Sequence, residues 1–252
     1  MVRLSEVRRF LDNYLKTDDV SEESWNGLQI EGKPEVKKIA FAVDASIDTF
    51  KKAIKEKADL VVVHHGQFWK SENPSIAGWI KERIDILYKN GVSLYVAHLP
   101  LDRHREVGHN ALLLKLMGAK ISEEFLEEHE KNIGWIGERQ KPVALQKIVS
   151  TLNSELSTKC KVLSFGKKNI RKIAVCSGGG NDEDFFEVLH ENVDLYVSGD
   201  SIDVYSTAKD AKMNVIFAGH YASETIGMKA LAKVLAKKFG VKTVFVDVPT
   251  GL

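Results

Sequence analysis

The run Ile39-Ala40-Phe41-Ala42-Val43 is apolar at every position, where a half-exposed strand would alternate, so it reads as a strand covered on both faces. Ahead of it, Leu4, Val7, Phe10, Leu11 and Leu15 recur at helical spacing. Behind it the pattern alternates. A helix-like stretch over 47–57 leads to a strand over 60–63, and another over 76–88 leads to a strand over 93–97, with Gly91 marking the helix exit. A further helix over 110–117 ends at Gly118. The alternation returns as a strand over 171–175, a helix over 183–190, a strand over 195–197, a helix over 202–211, a strand over 215–218, a long helix over 223–239 and a last strand over 243–247. Strands alternating with helices predict an α/β protein with buried parallel sheet.

The two alternating stretches resemble each other. Lys38-Ile39-Ala40 lies beside Lys172-Ile173-Ala174, Ala58-Asp59-Leu60-Val61-Val62 beside Val193-Asp194-Leu195-Tyr196-Val197, and Tyr95-Val96-Ala97-His98 beside Phe217-Ala218-Gly219-His220. The matched order predicts two related α/β halves, one over 1–120 and one over 121–252. The segment 121–170, with an acidic stretch (Glu123, Glu124, Glu127, Glu128, Glu130), a strand over 133–137, a helix over 143–156 and a strand over 161–163, is expected to complete the second half.

With 252 residues and 44% apolar content the chain can bury a substantial core. No stretch approaches the ~20 apolar residues of a membrane span, and the amphipathic start has no apolar signal region, which predicts a soluble, cytoplasmic protein. The two cysteines, Cys160 and Cys176, match no metal or redox spacing and read as reduced. Lys plus Arg exceed Asp plus Glu by one, a formal charge of +1, so the basic footprint of most nucleic-acid binders is missing.

The residues able to carry chemistry gather at predicted strand ends, where open α/β sheets bind their ligands. His64 and His65 follow one strand. Adjacent strand residues point to opposite faces, so the pair either turns onto one metal, which Gly66 permits, or serves two. His98 and Asp102 follow the next strand, which Pro100 stops. His220 and Glu224, four apart at the start of a helix, face the same way. Imidazole and carboxylate without thiolate suit divalent transition-metal ions drawn from zinc, iron, manganese, cobalt or nickel, and two such ions together would form a clamp used for hydrolysis. Other features read two ways. Ser177-Gly178-Gly179-Gly180-Asn181 is a plain turn or a phosphate cradle. Asp200, in Ser198-Gly199-Asp200-Ser201, enters the site or caps a helix. Phe68 and Trp69 pack in the core or stack on a base. His104, His109, His129 and His190 carry no usable spacing.

Four motifs in order, Trp25-Asn26-Gly27-Leu28-Gln29, His64-His65-Gly66, His98-Leu99-Pro100-Leu101-Asp102 and Gly219-His220-Tyr221-Ala222-Ser223-Glu224, make the chain resemble the NIF-three-like family, whose members are often labelled GTP cyclohydrolase I type 2 homologues. The resemblance spans essentially the whole chain. It implies two related α/β halves enclosing a dinuclear metal site in the cleft between them, a toroidal homohexamer, and His64, His65, Asp102, His220 and Glu224 as metal ligands with His98 close by; His98, ending a strand as His220 does, is expected to assist as a proton-transfer group or to support a ligand from behind. Gly66-Gln67-Phe68-Trp69 departs from the proline and apolar stretch that many members carry after the histidines, and the long central insertion of larger members is missing. The favoured reading is a metal-dependent hydrolase of nucleotides or related small molecules. The alternative is a ring-shaped nucleic-acid-binding, adaptor or regulatory protein with a structural metal.

Overall fold

The computed structural model describes residues 1–128 and 130–252, so His129 lies outside the described residues. The chain divides into two compact units, the first made of Met1–Leu101 and Gly227–Val248, the second of Asp102–Ile226 and Pro249–Leu252.

In the first unit the described residues form a sheet of strand order Lys242–Phe245, Lys38–Asp44, Leu60–His65, Ser93–Val96 and Gly27–Ile30, with the last antiparallel and the others parallel. Five consecutive residues of Lys38–Asp44 and of Leu60–His65 are buried, as unbroken apolar runs require in a parallel sheet covered on both faces. Gly27–Ile30 escapes the sequence pattern because a short antiparallel edge strand needs no apolar run. Helix Leu4–Leu15 buries Leu4, Val7, Leu11 and Leu15, and Phe10 meets Phe239 edge-on at 5.5 Å. Ser46 caps helix Ile47–Lys55 by accepting from Thr49 N, and Gly91, at φ 63°, ends helix Gly78–Asn90 in the left-handed region.

In the second unit the order is Lys120–Glu128, Lys131–Ala144, Asn169–Cys176, Leu195–Ser198, Asn214–Phe217 and Lys161–Ser164, parallel for the third to fifth strands and antiparallel at both sides. The acidic stretch as far as Glu128 is therefore a strand. It lies at the sheet edge, where exposed glutamates discourage pairing with another chain. The helix expected over 202–211 is shorter, Tyr205–Asp210, and the last long helix starts three residues earlier than expected, at His220. Among the described residues no helix is long and apolar enough to cross a membrane.

The matched Asp residues of the two units do the same work. Asp59 Oδ2 accepts from the backbone of Lys37 and Lys38 (2.7 and 3.0 Å), and Asp194 Oδ2 accepts from Arg171 and Lys172 (2.8 and 3.0 Å). Each tethers the start of its neighbouring parallel strand. Burial raises the Asp194 carboxyl, but Lys167 and the two amides outweigh it and leave the group below its ordinary value. The third match shifts by one residue. Ala97 N donates to Val63 O and Ala218 N to Ser198 O, at equivalent rungs of the two ladders. Ala97 thus corresponds to Ala218, His98 to Gly219 and His65 to Asp200. Aligning on the shared histidine misplaced the register, because backbone pairing and not side-chain identity fixes which positions are equivalent.

Candidate metal centre

Strand Leu60–His65 carries His64 and His65 at its carboxyl end, and His98 follows Ser93–Val96 on the adjacent strand. The ligand atoms of these three histidines lie within 4.8 Å of one another. His64 is fully buried, and its Nδ1–H donates to Ala97 O at 2.8 Å; a carbonyl only accepts, which fixes the proton on Nδ1. His65 Nδ1 donates to Asp44 Oδ1 at 2.7 Å, Asp44 being the residue paired with it on the neighbouring strand. His98 Nδ1 donates to Glu22 Oε2 in a short hydrogen bond.

Glu22 is only 3% exposed and is satisfied from several sides, its Oε1 accepting from Asn26 Nδ2 (2.6 Å) and Leu99 N (3.0 Å). Burial raises its carboxyl, but His98, Asn26 and the Leu99 amide outweigh that and hold it below the usual carboxylate range. Asn26 Oδ1 in turn accepts from His98 N at 2.8 Å. Gln29 accepts from the backbone of Gln67 and Phe68 (2.7 and 3.2 Å) and donates to the carbonyls of Trp25 and Phe68 (2.7 and 3.3 Å). The Trp25-Asn26-Gly27-Leu28-Gln29 motif is therefore a clamp on the two histidine loops. Gly66 is required beneath it, since a Cβ there would lie 2.6 Å from both Gln29 Nε2 and Val96 Cγ2.

In the second unit His220 and Glu224 share the first turns of helix His220–Phe239, with His220 Nε2 3.3 Å from Glu224 Oε1. His220 Nδ1 donates to Asp200 Oδ2 at 3.0 Å, so Asp200 orients a histidine, and of the two readings the helix cap is displaced. Burial lowers the His220 pKa, but Glu224 and then Asp200 outweigh it and raise it to about 9. A proton and a metal ion are alternative occupants of those atoms. Asp102 is 5% exposed and accepts from Ser177 Oγ at 3.0 Å, while His109, fully buried, has a ligand atom within 4.8 Å of it.

At Gly178 the glycine run is a structural turn. Gly178 N donates to Ser223 Oγ and Gly178 O accepts from Asp200 N, which removes its amide from any phosphate. At φ +65° and without a side chain, Gly178 makes room for Glu224 Oε1, which a Cβ would overlap, with His220 Nε2 3.3 Å away. Asn181 caps helix Asp182–His190 by accepting from Asp184 N.

The donor set fits divalent transition metals. Four imidazoles have Nδ1 engaged by an oxygen acceptor, the arrangement by which outer carboxylates and carbonyls orient metal-binding histidines. Thiolate is not part of it. Both cysteines are free, and burial pushes the Cys160 thiol up to about 11 and the Cys176 thiol well above its ordinary value. Asp44, Glu22 and His109 escaped the sequence reading. Asp44 closes an apolar strand, a signal present but unused; Glu22 and His109 lie in irregular or helical sequence with no periodic cue.

A family model for Duf34/NIF3 (NGG1p interacting factor 3) matches residues 2–251. A GTP cyclohydrolase 1 type 2 homolog from Pyrococcus horikoshii is 46% identical over 249 residues, covering 98% of both chains. Among solved structures, TTHA1606 from Thermus thermophilus is 37% identical with a TM-score of 0.87, and protein ybgI, titled as of unknown function, is 31% identical with a TM-score of 0.92; each match covers 100% of both chains.

Proposed function

Because this chain belongs to the Duf34/NIF3 family, we propose that it is a metal-dependent hydrolase of nucleotides or related small molecules, with His64, His65, Asp102, His220 and Glu224 holding two divalent transition-metal ions. The observation that carries the reading is the shared orientation of the imidazoles, each held at Nδ1 by an oxygen, so that Nε2 would be the atom offered to an ion. Such an ion pair, when bound, acidifies a water and stabilises negative charge on the leaving oxygen. The name carried by the curated relatives, GTP cyclohydrolase 1 type 2 homolog, supports a nucleotide as the substrate.

His98 is the proton carrier. Glu22 holds its Nδ1, stays ionised because its carboxyl is held low, and so stabilises the imidazolium that forms when Nε2 takes a proton. Trp69 packs edge-on against His98 with ring centres 5.1 Å apart.

Metal-loaded protein incubated with a panel of nucleotides is expected to turn over at least one, and His98→Gln to slow it about 10²- to 10⁴-fold with metal content unchanged. Loss of metal in His98→Gln makes His98 a ligand. An absence of turnover with fully metallated protein and every nucleotide or phosphoester offered yields the reading to a ring-shaped binding or adaptor protein, which the net charge of +1 does not favour.

The toroidal homohexamer comes from the family resemblance. Sedimentation at micromolar concentration is expected to give six times the 28.2 kDa chain mass. A strictly monomeric species would remove the ring.

A further inference from the structure

Next to the histidine cluster of the first unit is a cavity of about 340 Å³, lined by Trp25, Leu28, Gln67, Phe68, Trp69 and Ile80 among others. Its volume sits at the small end of ligand sites, which run from about 300 to 1,000 Å³. Phe68 and Trp69 are neither of them fully buried, and Trp25 is 55% exposed, so these rings are walls of an open space and not core. Trp69 also faces the chemistry, with His98 at 5.1 Å and His65 at 6.4 Å between ring centres.

Gln67 supplies an independent observation. It is 3% exposed, its backbone N–H is held by Gln29, and its Oε1 accepts from Arg83 at 3.3 Å. Arginine only donates, so the other end of the Gln67 amide is the NH₂ group. That Nε2 is buried and has no hydrogen-bond partner among the described residues. A buried donor left without an acceptor is costly and calls for a ligand or water to satisfy it.

We infer that this cavity binds the base of a nucleotide substrate, its ring stacked on the aromatic walls and an edge acceptor, a ring nitrogen or carbonyl oxygen, receiving the Gln67 Nε2 hydrogen bond. An aliphatic ligand would use the apolar walls but leave the amide unsatisfied; a flat heteroaromatic ring uses both. The inference deepens the hydrolase reading and rests on it for the remainder of the nucleotide, which a base held against Trp69 would direct towards His98.

The test is equilibrium dialysis of the purified protein with guanosine, adenosine and uridine, none of which carries phosphate, and with ribose 5-phosphate as the base-free control. Nucleosides are expected to bind both metal-loaded and chelator-treated protein, and ribose 5-phosphate not to compete. Trp25→Leu, at an exposed position, and Gln67→Met, of similar volume, should each weaken nucleoside binding roughly 10- to 100-fold, the scale of one stacked or satisfied contact. Nucleoside binding without turnover of any nucleotide would keep the base pocket and remove the hydrolase. Turnover with an unchanged KM in Trp25→Leu and Gln67→Met would remove the base pocket and keep the hydrolase. Failure of every nucleoside to bind at millimolar concentration, or displacement by ribose 5-phosphate, also overturns it.

Discussion

Protein purified without chelators is expected to carry up to two transition-metal equivalents per chain, with Glu224→Gln and His220→Ala each lowering that number by at least one. Glu224 is 2% exposed, and a carboxylate buried so deeply needs positive charge beside it. His220 supplies that charge when protonated, with its pKa raised to about 9, through the same Nε2 that a metal would take. Glutamine keeps the shape of Glu224 and removes the anionic donor; alanine removes the imidazole altogether. Asp200→Asn gives the contrast, since it leaves His220 in place and alters only the group that orients it. Its expected effect is a metal affinity about 10- to 100-fold weaker, with stoichiometry recovered at saturating metal. Elemental analysis that finds full metal in both Glu224→Gln and His220→Ala would sink the ligand assignment.

Gly178→Ala is expected to destabilise the protein by about 2–6 kcal/mol. Part of that is backbone strain, of order 1–3 kcal/mol for a side chain held at φ +65°. The rest is overpacking, about 1–3 kcal/mol, because the new methyl group would overlap Glu224 Oε1. Gly240 separates the two contributions: it has the same φ of +65° and nothing within 4 Å of an added Cβ. Urea denaturation should therefore show Gly240→Ala losing only the strain, and Gly178→Ala losing more. The displaced Glu224 should also cost Gly178→Ala metal. Equal midpoints for the two variants would mean that the turn and the carboxylate are not in contact in solution.

Periodicity and unbroken apolar runs made the parallel strands legible, because burial on both faces demands such runs. Lys38–Asp44, Leu60–His65, Asn169–Cys176 and Leu195–Ser198 all fall where the pattern puts them. Among the strands it misses, Gly27–Ile30 and Lys120–Glu128 are antiparallel edges, each with positions open to solvent, so neither needs an unbroken apolar run. The candidate ligands were legible as polar residues closing apolar strands. What holds them was not. Glu22 reaches His98 across 76 positions and Asp200 reaches His220 across 20, distances over which local pattern carries no signal. The glycine run was visible as a turn, but only the approach of Glu224 explains why Gly178 must lack a side chain.

Gln29 gives the first unit a frame that acidity cannot loosen. A carboxamide neither gains nor loses a proton over the range in which proteins work, so its bonds to Trp25, Gln67 and Phe68 keep their strength whatever happens to the neighbouring imidazoles and carboxylates. Acid can eject an ion by protonating its ligands and still leave the loop that carries them in shape. Reloading at neutral pH would then meet a seat already formed, and recovery would be set by arrival of the metal and not by refolding of the backbone around it.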